Sequence, residues 1–215
     1  MNNVDGVILA AGRSSRMETG HKVHATLGKH TLLQHVIMRL EPQLDSLVIN
    51  ADPDICGQHS QPNSLPASDP TSLSASHPTS YPIVADRLEG FRGPLMGLYT
   101  GLTNHYLSNA DYLLSVPCDG PFIPPNLAFE LQRQVRAGNA DIACIRYSGQ
   151  IEPMFSLWHK RTVNAVEQAL LDNKGGFKSL FAELQTVYLD WPEQSINPFF
   201  NINTVDDLAE AERLL

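Results

Sequence analysis

The chain has 215 residues, of which 42% are hydrophobic and 18% charged, with a formal net charge of −8. That length and balance suit one globular domain, or at most two small ones, and exclude a wholly disordered chain. Bulk nucleic-acid binding draws on surplus cations and a membrane span on ~20 consecutive apolar residues, so the acidic balance and the short apolar runs argue against both.

Val4 to Ala11 is a short apolar run ending in small residues, which predicts a buried strand. A polar loop with glycine at both ends follows, from Gly12 to Lys22, carrying Arg13 and Arg16. Thr31 opens a helical pattern with Leu32, Leu33, Val36, Ile37 and Leu40 on one face, and Leu47 to Asn50 predicts a second strand. From about Asp54 to Pro82 the chain turns rich in Ser and Pro and loses both periods, the mark of a long surface insertion.

Ile83 to Asp86 predicts a short strand, and Gly93-Pro94-Leu95-Met96-Gly97 a turn feeding a helix to about Asn104. Asp111 to Val116 predicts a buried strand that ends in the sharp turn Pro117-Cys118-Asp119-Gly120-Pro121. A helix is expected from Pro124 through about Val135, strands over Ala140–Arg146 and Pro153–Trp158, and helices over Val163–Leu171 and Phe177–Leu184. Val187 to Leu189 reads as a strand, and Thr204 with Asp207 as the capping box of a last helix. Alternating strands and helices predict an α/β fold with a mostly parallel sheet. In such sheets ligands sit beyond the carboxyl ends of the strands. The polar segments after Ala11, Ala85 and Val116 are therefore expected to line one cleft.

The chemistry available there is cationic and acidic. The Gly12–Lys22 loop offers backbone amides with little side-chain bulk, and Arg16 and Lys22 to neutralise phosphate. It is neither a P-loop nor a dinucleotide fingerprint. Asp119, just past a buried strand, is placed to hold Mg²⁺, which takes few protein oxygens and keeps phosphate and water. The plainer reading, a turn-capping carboxylate, applies to Asp119 and to Asp86 alike. Cys56, Cys118 and Cys144 are odd in number and have no C-x-x-C spacing, so reduced thiols are expected, with Cys118 a buried small hydrophobe. His21, His24, His30 and His35 crowd one region without zinc spacing. Met1 to Asp5 has no basic n-region or apolar core, so no secretory signal is expected and the expected location is cytoplasmic.

Four segments together resemble the molybdenum cofactor guanylyltransferase family. Leu9-Ala10-Ala11-Gly12-x-x-x-Arg16-Met17 with Lys22 looks like a signature shared by a wider superfamily of nucleotidyltransferases. Gly93–Gly97, Pro117–Pro125 and Phe200–Leu208 look like the narrower G-P-L-x-G, C-D-x-P-F-x-P and N-x-N-T-x-x-D-L motifs. The resemblance implies a Rossmann-like three-layer α/β/α sandwich of the nucleotide-diphospho-sugar transferase type. It implies one nucleotidyltransferase domain over residues 1–215, with the Ser/Pro-rich stretch at about 54–82 as an insertion.

It also implies a reaction, transfer of GMP from GTP to the terminal phosphate of molybdopterin or molybdenum-molybdopterin, with Mg²⁺ as cofactor and pyrophosphate as co-product. By position, Leu9, Ala10, Ala11, Gly12, Lys22, Asn50, Asp86 and Asp119 would bind GTP. Lys22, Asp119 and Arg16 would carry catalysis, Asp119 would hold the metal, and Asn201 and Asn203 would lie on the pterin side. The implied partners extend to molybdoenzyme apoproteins or their chaperones, with no nucleic acid and no membrane. Ala11 stands where guanylyl members usually have Gly, so a cytidylyltransferase using CTP stays open. A sugar-phosphate nucleotidyltransferase and a non-catalytic cofactor-delivery partner are the further alternatives.

Overall fold

The computed structural model describes residues 3–11, 24–52, 81–88, 93–107, 110–174 and 176–215. Gly12, Arg16 and Lys22, and all but the last two residues of the 54–82 insertion, lie outside the described residues.

The chain begins with β1 (Val4–Leu9), a strand buried along its whole length, as a central parallel strand must be. A small hairpin of β2 (Thr26–Leu27) and β3 (His30–Thr31) follows, which the sequence reading did not anticipate. Helix α1 (Leu32–Leu40) starts where expected: Thr31 Oγ1 accepts from the Gln34 amide at 3.2 Å, and Gln34 Oε1 accepts from the Thr31 amide at 2.8 Å. The chain then returns through β4 (Ser46–Asn50) and β5 (Ile83–Val84). Helix α2 (Pro94–Leu102) leads into β6 (Tyr112–Pro117), and α3 (Leu127–Ala137) into β7 (Ile142–Tyr147). β8 (Gln150–His159) turns back at once, and α4 (Val163–Leu171), α5 (Phe177–Glu183), β9 (Thr186–Trp191) and α6 (Val205–Arg213) complete the chain.

Seven strands form one sheet in the order β5-β4-β1-β6-β8-β7-β9. Only β8 runs against the rest, antiparallel to both β6 and β7, while β9 is parallel to β7. The expected mostly parallel sheet is therefore present. Helices cover both faces. Val36 and Leu40 of α1 and Leu127, Leu131 and Val135 of α3 pack with Ile8, Leu114 and Leu157 on one side. On the other, α2, α4 and α5 bring Leu95, Met96, Val166, Leu170 and Phe177 against Val7, Leu9, Leu113 and Trp158. This is the three-layer α/β/α sandwich. A small third core joins Leu27 and Leu32 to Ile202 and Ala211, so α6 sits on the hairpin rather than on the sheet.

β8 is ten residues long, longer than the Pro153–Trp158 expected from sequence. Its pairing with β7 jumps between Cys144, opposite Ser156, and Ile145, opposite Glu152. Residues 153–155 are thus left out of the β7 ladder. A buried polar ladder fixes this bulge. Ser115 Oγ donates towards the Met154 carbonyl at 3.1 Å, Ser156 Oγ donates to the Pro153 carbonyl at 2.7 Å, and Trp158 Nε1 donates to Ser156 Oγ at 2.8 Å.

Candidate active site

The register of the sheet levels four strand ends. Leu9 lies opposite Asn50 on one side and Pro117 on the other, and Asn50 lies opposite Val84. Ala11, Asp86 and Asp119 each stand two residues beyond that row, in the segments that leave the sheet. Backbone bonds continue past the ladder: the Ala10 amide donates to the Asn50 carbonyl at 2.8 Å and the Cys118 amide to the Leu9 carbonyl at 3.2 Å. The three segments expected to line one cleft thus leave the sheet at this same edge.

Asn50 is 1% exposed, so its part is to orient a neighbour rather than to face solvent. Its Nδ2 donates to Asp86 Oδ1 at 3.0 Å and to the Val84 carbonyl at 3.2 Å. Its Oδ1 lies against Gly97 of α2, where an added Cβ would come within 2.4 Å of it and 2.6 Å of Leu9 Cδ2. The G-P-L-x-G glycine is therefore a packing requirement: it lets α2 close over the Asn50 side chain. Asp86 is exposed, and its carboxylate is held by Asn50 at this edge of the sheet. The next residue is held too, since the Arg87 amide donates to Thr100 Oγ1 at 3.1 Å.

Asp119 is 8% exposed, in the turn that follows β6. Its carbonyl accepts from the Ile202 amide at 2.9 Å, which ties the Asp119 turn to the Asn201–Asn203 segment some eighty residues later. Gly120 is hemmed in by both: a Cβ there would meet Phe155 Cζ at 2.9 Å and Asn201 Oδ1 at 3.4 Å. Phe155, delivered by the bulge of β8, packs edge-on against Phe199 with ring centroids 5.0 Å apart, and Phe199 in turn meets Tyr147 and Trp191. This aromatic group is the floor under Gly120 and Asn201. Asn201 Oδ1 is buried and finds no hydrogen-bond partner among the described residues. A buried acceptor left open costs about 1–3 kcal/mol, so a ligand that fills it gains that much binding.

Asn203 behaves differently from Asn201. It is exposed, and its Nδ2 donates to the Asn201 carbonyl at 3.1 Å, so it supports the turn that presents Asn201. Sequence spacing alone made the pair equivalent. Cys118 is buried in the core on the α1 and α3 face, as expected of a small hydrophobe. His35 Nε2 bonds the Leu27 carbonyl at 2.8 Å, and no group of three or more metal-ligating side chains occurs among the described residues.

β8 starts at this same edge, since Gln150 lies opposite the last residue of β7. Burial pushes the Glu152 carboxyl above the usual carboxylate range, and the field of Lys178 pulls part of the way back. Burial likewise raises the Cys144 thiol to about 12, so it is inert at neutral pH.

Comparison with known proteins adds the chemistry. Residues 6–187 match the family model described as a MobA-like NTP transferase domain. A protein of Rhodopseudomonas palustris (strain BisB5) named molybdenum cofactor guanylyltransferase is 35% identical over 97% of this chain and 92% of its own length. A Mesorhizobium japonicum protein of the same name is 31% identical over 99% and 96%. The solved structure of molybdopterin-guanine dinucleotide biosynthesis protein A from Archaeoglobus fulgidus superposes with a TM-score of 0.74 at 20% identity, covering 98% of this chain and 97% of that one. A nucleotidyl transferase from Methanothermobacter thermautotroptrophicus gives 0.69 at 15% identity, over 98% and 96%. Both structures share the fold.

Proposed function

This chain belongs to the MobA-like NTP transferase family of its molybdenum cofactor guanylyltransferase relatives, and on that premise we propose that it transfers GMP from GTP to the terminal phosphate of molybdopterin. The observation that carries the reading is the convergence at one sheet edge. Leu9, Ala10, Ala11, Asn50, Asp86 and Asp119 meet where four strand ends are level, and Asn201 closes the far side. The guanine base and the pterin acceptor come from the full-length relatives, not from this geometry. The 215 residues act as one nucleotidyltransferase domain in the cytoplasm, with molybdoenzyme apoproteins or their chaperones as recipients.

The oxygens at the site fit Mg²⁺. The Asp119 carboxylate, in the turn just beyond β6 at the edge where the strand ends are level, is a hard donor, the chemistry Mg²⁺ takes while keeping water and phosphate oxygens. Asp119 would hold the ion, which supplies charge neutralisation to the triphosphate when bound. The backbone from Leu9 to Gly12 would lie along the nucleotide, Lys22 and Arg16 would neutralise phosphate charge, and Asp86, oriented by Asn50, would contact the nucleoside. A terminal phosphate oxygen of molybdopterin then attacks the α-phosphorus of GTP. The new P–O bond forms as the bond from that phosphorus to the β-phosphate oxygen breaks, and pyrophosphate leaves. The nucleophile is already an anion, so the protein's work is alignment and charge compensation rather than proton abstraction.

The test is turnover of molybdopterin with GTP or CTP in the presence of Mg²⁺, followed by pyrophosphate release and detection of the dinucleotide. Turnover with GTP well above CTP is expected, and equal or faster turnover with CTP overturns the guanine assignment. Asp119→Ala is expected to abolish Mg²⁺-dependent turnover with an unchanged circular-dichroism spectrum, and unchanged turnover removes the metal role.

A further inference from the structure

In an ordinary capping box the third helical residue accepts only the amide of the cap residue. In α6 the same Asp207 oxygen, Oδ2, accepts from the amides of both Thr204 and Asn203, each at 2.8 Å, while the Asp207 amide donates to Thr204 Oγ1 at 3.1 Å. Two amides converging on one carboxylate oxygen fix two consecutive peptide planes, and bonds to an ionised acceptor are among the stronger ones. The effect runs upstream. Asn203 Nδ2 donates to the Asn201 carbonyl at 3.1 Å, and between them the fully buried Ile202 gives its amide to the Asp119 carbonyl. The amides of residues 202–204 are thus all held, and what the turn presents is the Asn201 side-chain amide with its open oxygen beside Gly120.

We propose that Asp207 is a positioning residue for the acceptor substrate: through Asn203 it sets the attitude of Asn201, and so the affinity for the pterin side of the cleft, without touching either substrate. This rests on the guanylyltransferase reading above. It assigns a purpose to the acidic residue of the N-x-N-T-x-x-D-L segment beyond starting a helix.

The experiment compares Asp207→Ala, Asp207→Asn and Ala209→Gly in the full chain. Ala209 is an exposed residue of α6, beyond the capping residues, and its replacement by glycine weakens the helix while leaving the turn alone. Asp207→Ala is expected to raise KM for molybdopterin at least tenfold, with the calorimetric Kd for GTP and Mg²⁺ within twofold of the parent. Asp207→Asn, which keeps an acceptor oxygen, is expected to recover KM to within about threefold. Ala209→Gly is expected to lower Tm without moving KM. In parallel, amide hydrogen exchange at Ile202 and Asn203 is expected to accelerate in Asp207→Ala only. Equal rises in KM for Asp207→Ala and Ala209→Gly, or unchanged exchange at Asn203 in Asp207→Ala, overturn the proposal. The exchange measurement decides whether Asp207 holds the turn even if the parent enzyme prefers another acceptor, so failure here and failure of the proposed function are told apart.

Discussion

Gly97 shows how one missing side chain arranges a site. The position a Cβ would take is already filled by Asn50 Oδ1 and Leu9 Cδ2. Asn50 in turn orients Asp86, so crowding at Gly97 propagates to the edge where Asp86 stands. Gly97→Ala is expected to cost about 1–3 kcal/mol of stability through overpacking. Its more telling effect is on ligand binding: GTP affinity measured by calorimetry is expected to fall about tenfold, equivalent to about 1.4 kcal/mol. A stability loss with unchanged affinity separates Asn50 from nucleotide binding. The sequence marked Asn50 and Asp86 as polar strand ends, but it made them parallel candidates. Only the fold shows one holding the other, because a hydrogen bond between side chains 36 positions apart leaves no local pattern.

Among the elements, those bounded by local chemistry were the most legible. Val163–Leu171 was read with its observed limits, and Thr204 with Asp207 forms the capping box anticipated from residue types and spacing alone. The two-residue strands of the β2–β3 hairpin escaped notice because neither is long enough to show an alternation. The bulge of β8 was invisible for another reason: it is a relation between strands, fixed by Ser115 and Ser156, not a property of its own residues. The loop with Arg16 and Lys22 lies outside the described residues, so its part in the site rests on motif and family.

Glu152 belongs to the bulged element. Its carboxyl is raised by burial, so the protonated form is favoured in the folded chain. Its contribution to stability is therefore fully present below the ordinary carboxylate range and is lost as pH rises through the raised value. Glu152→Gln is expected to melt with the parent at acid pH and about 1–3 °C higher at pH 8, read by scanning calorimetry. A constant difference across the range contradicts this.

At the scale of the molecule, an ion pair ties β8 to the centre of the sheet. Lys160, just past β8, places Nζ 2.8 Å from Oδ2 of the fully buried Asp5 in β1, reaching past the intervening β6. Asp5 lies near the amino end of β1, away from the carboxyl strand ends where Ala11, Asp86 and Asp119 stand. Lys160→Met is expected to destabilise the fold by about 2–4 kcal/mol, the lower end reflecting the partial exposure of Lys160. The urea midpoint is expected to fall with an unchanged slope, while GTP affinity stays as in the parent. A loss of affinity in step with stability denies the independence of the two edges.

The strand order also has a consequence for how the protein is made. The first four parallel strands, through Pro117, can pair with one another as soon as they emerge from the ribosome, but the outer side of β6 must wait for Gln150–His159 to fold back between it and β7. Until that late insertion the nascent chain carries a raw, apolar hydrogen-bonding edge, a template for joining another chain. Slowed translation between residues 118 and 149, or truncation there, leaves a species that invites aggregation, and the same segment is where a chaperone has most to shield.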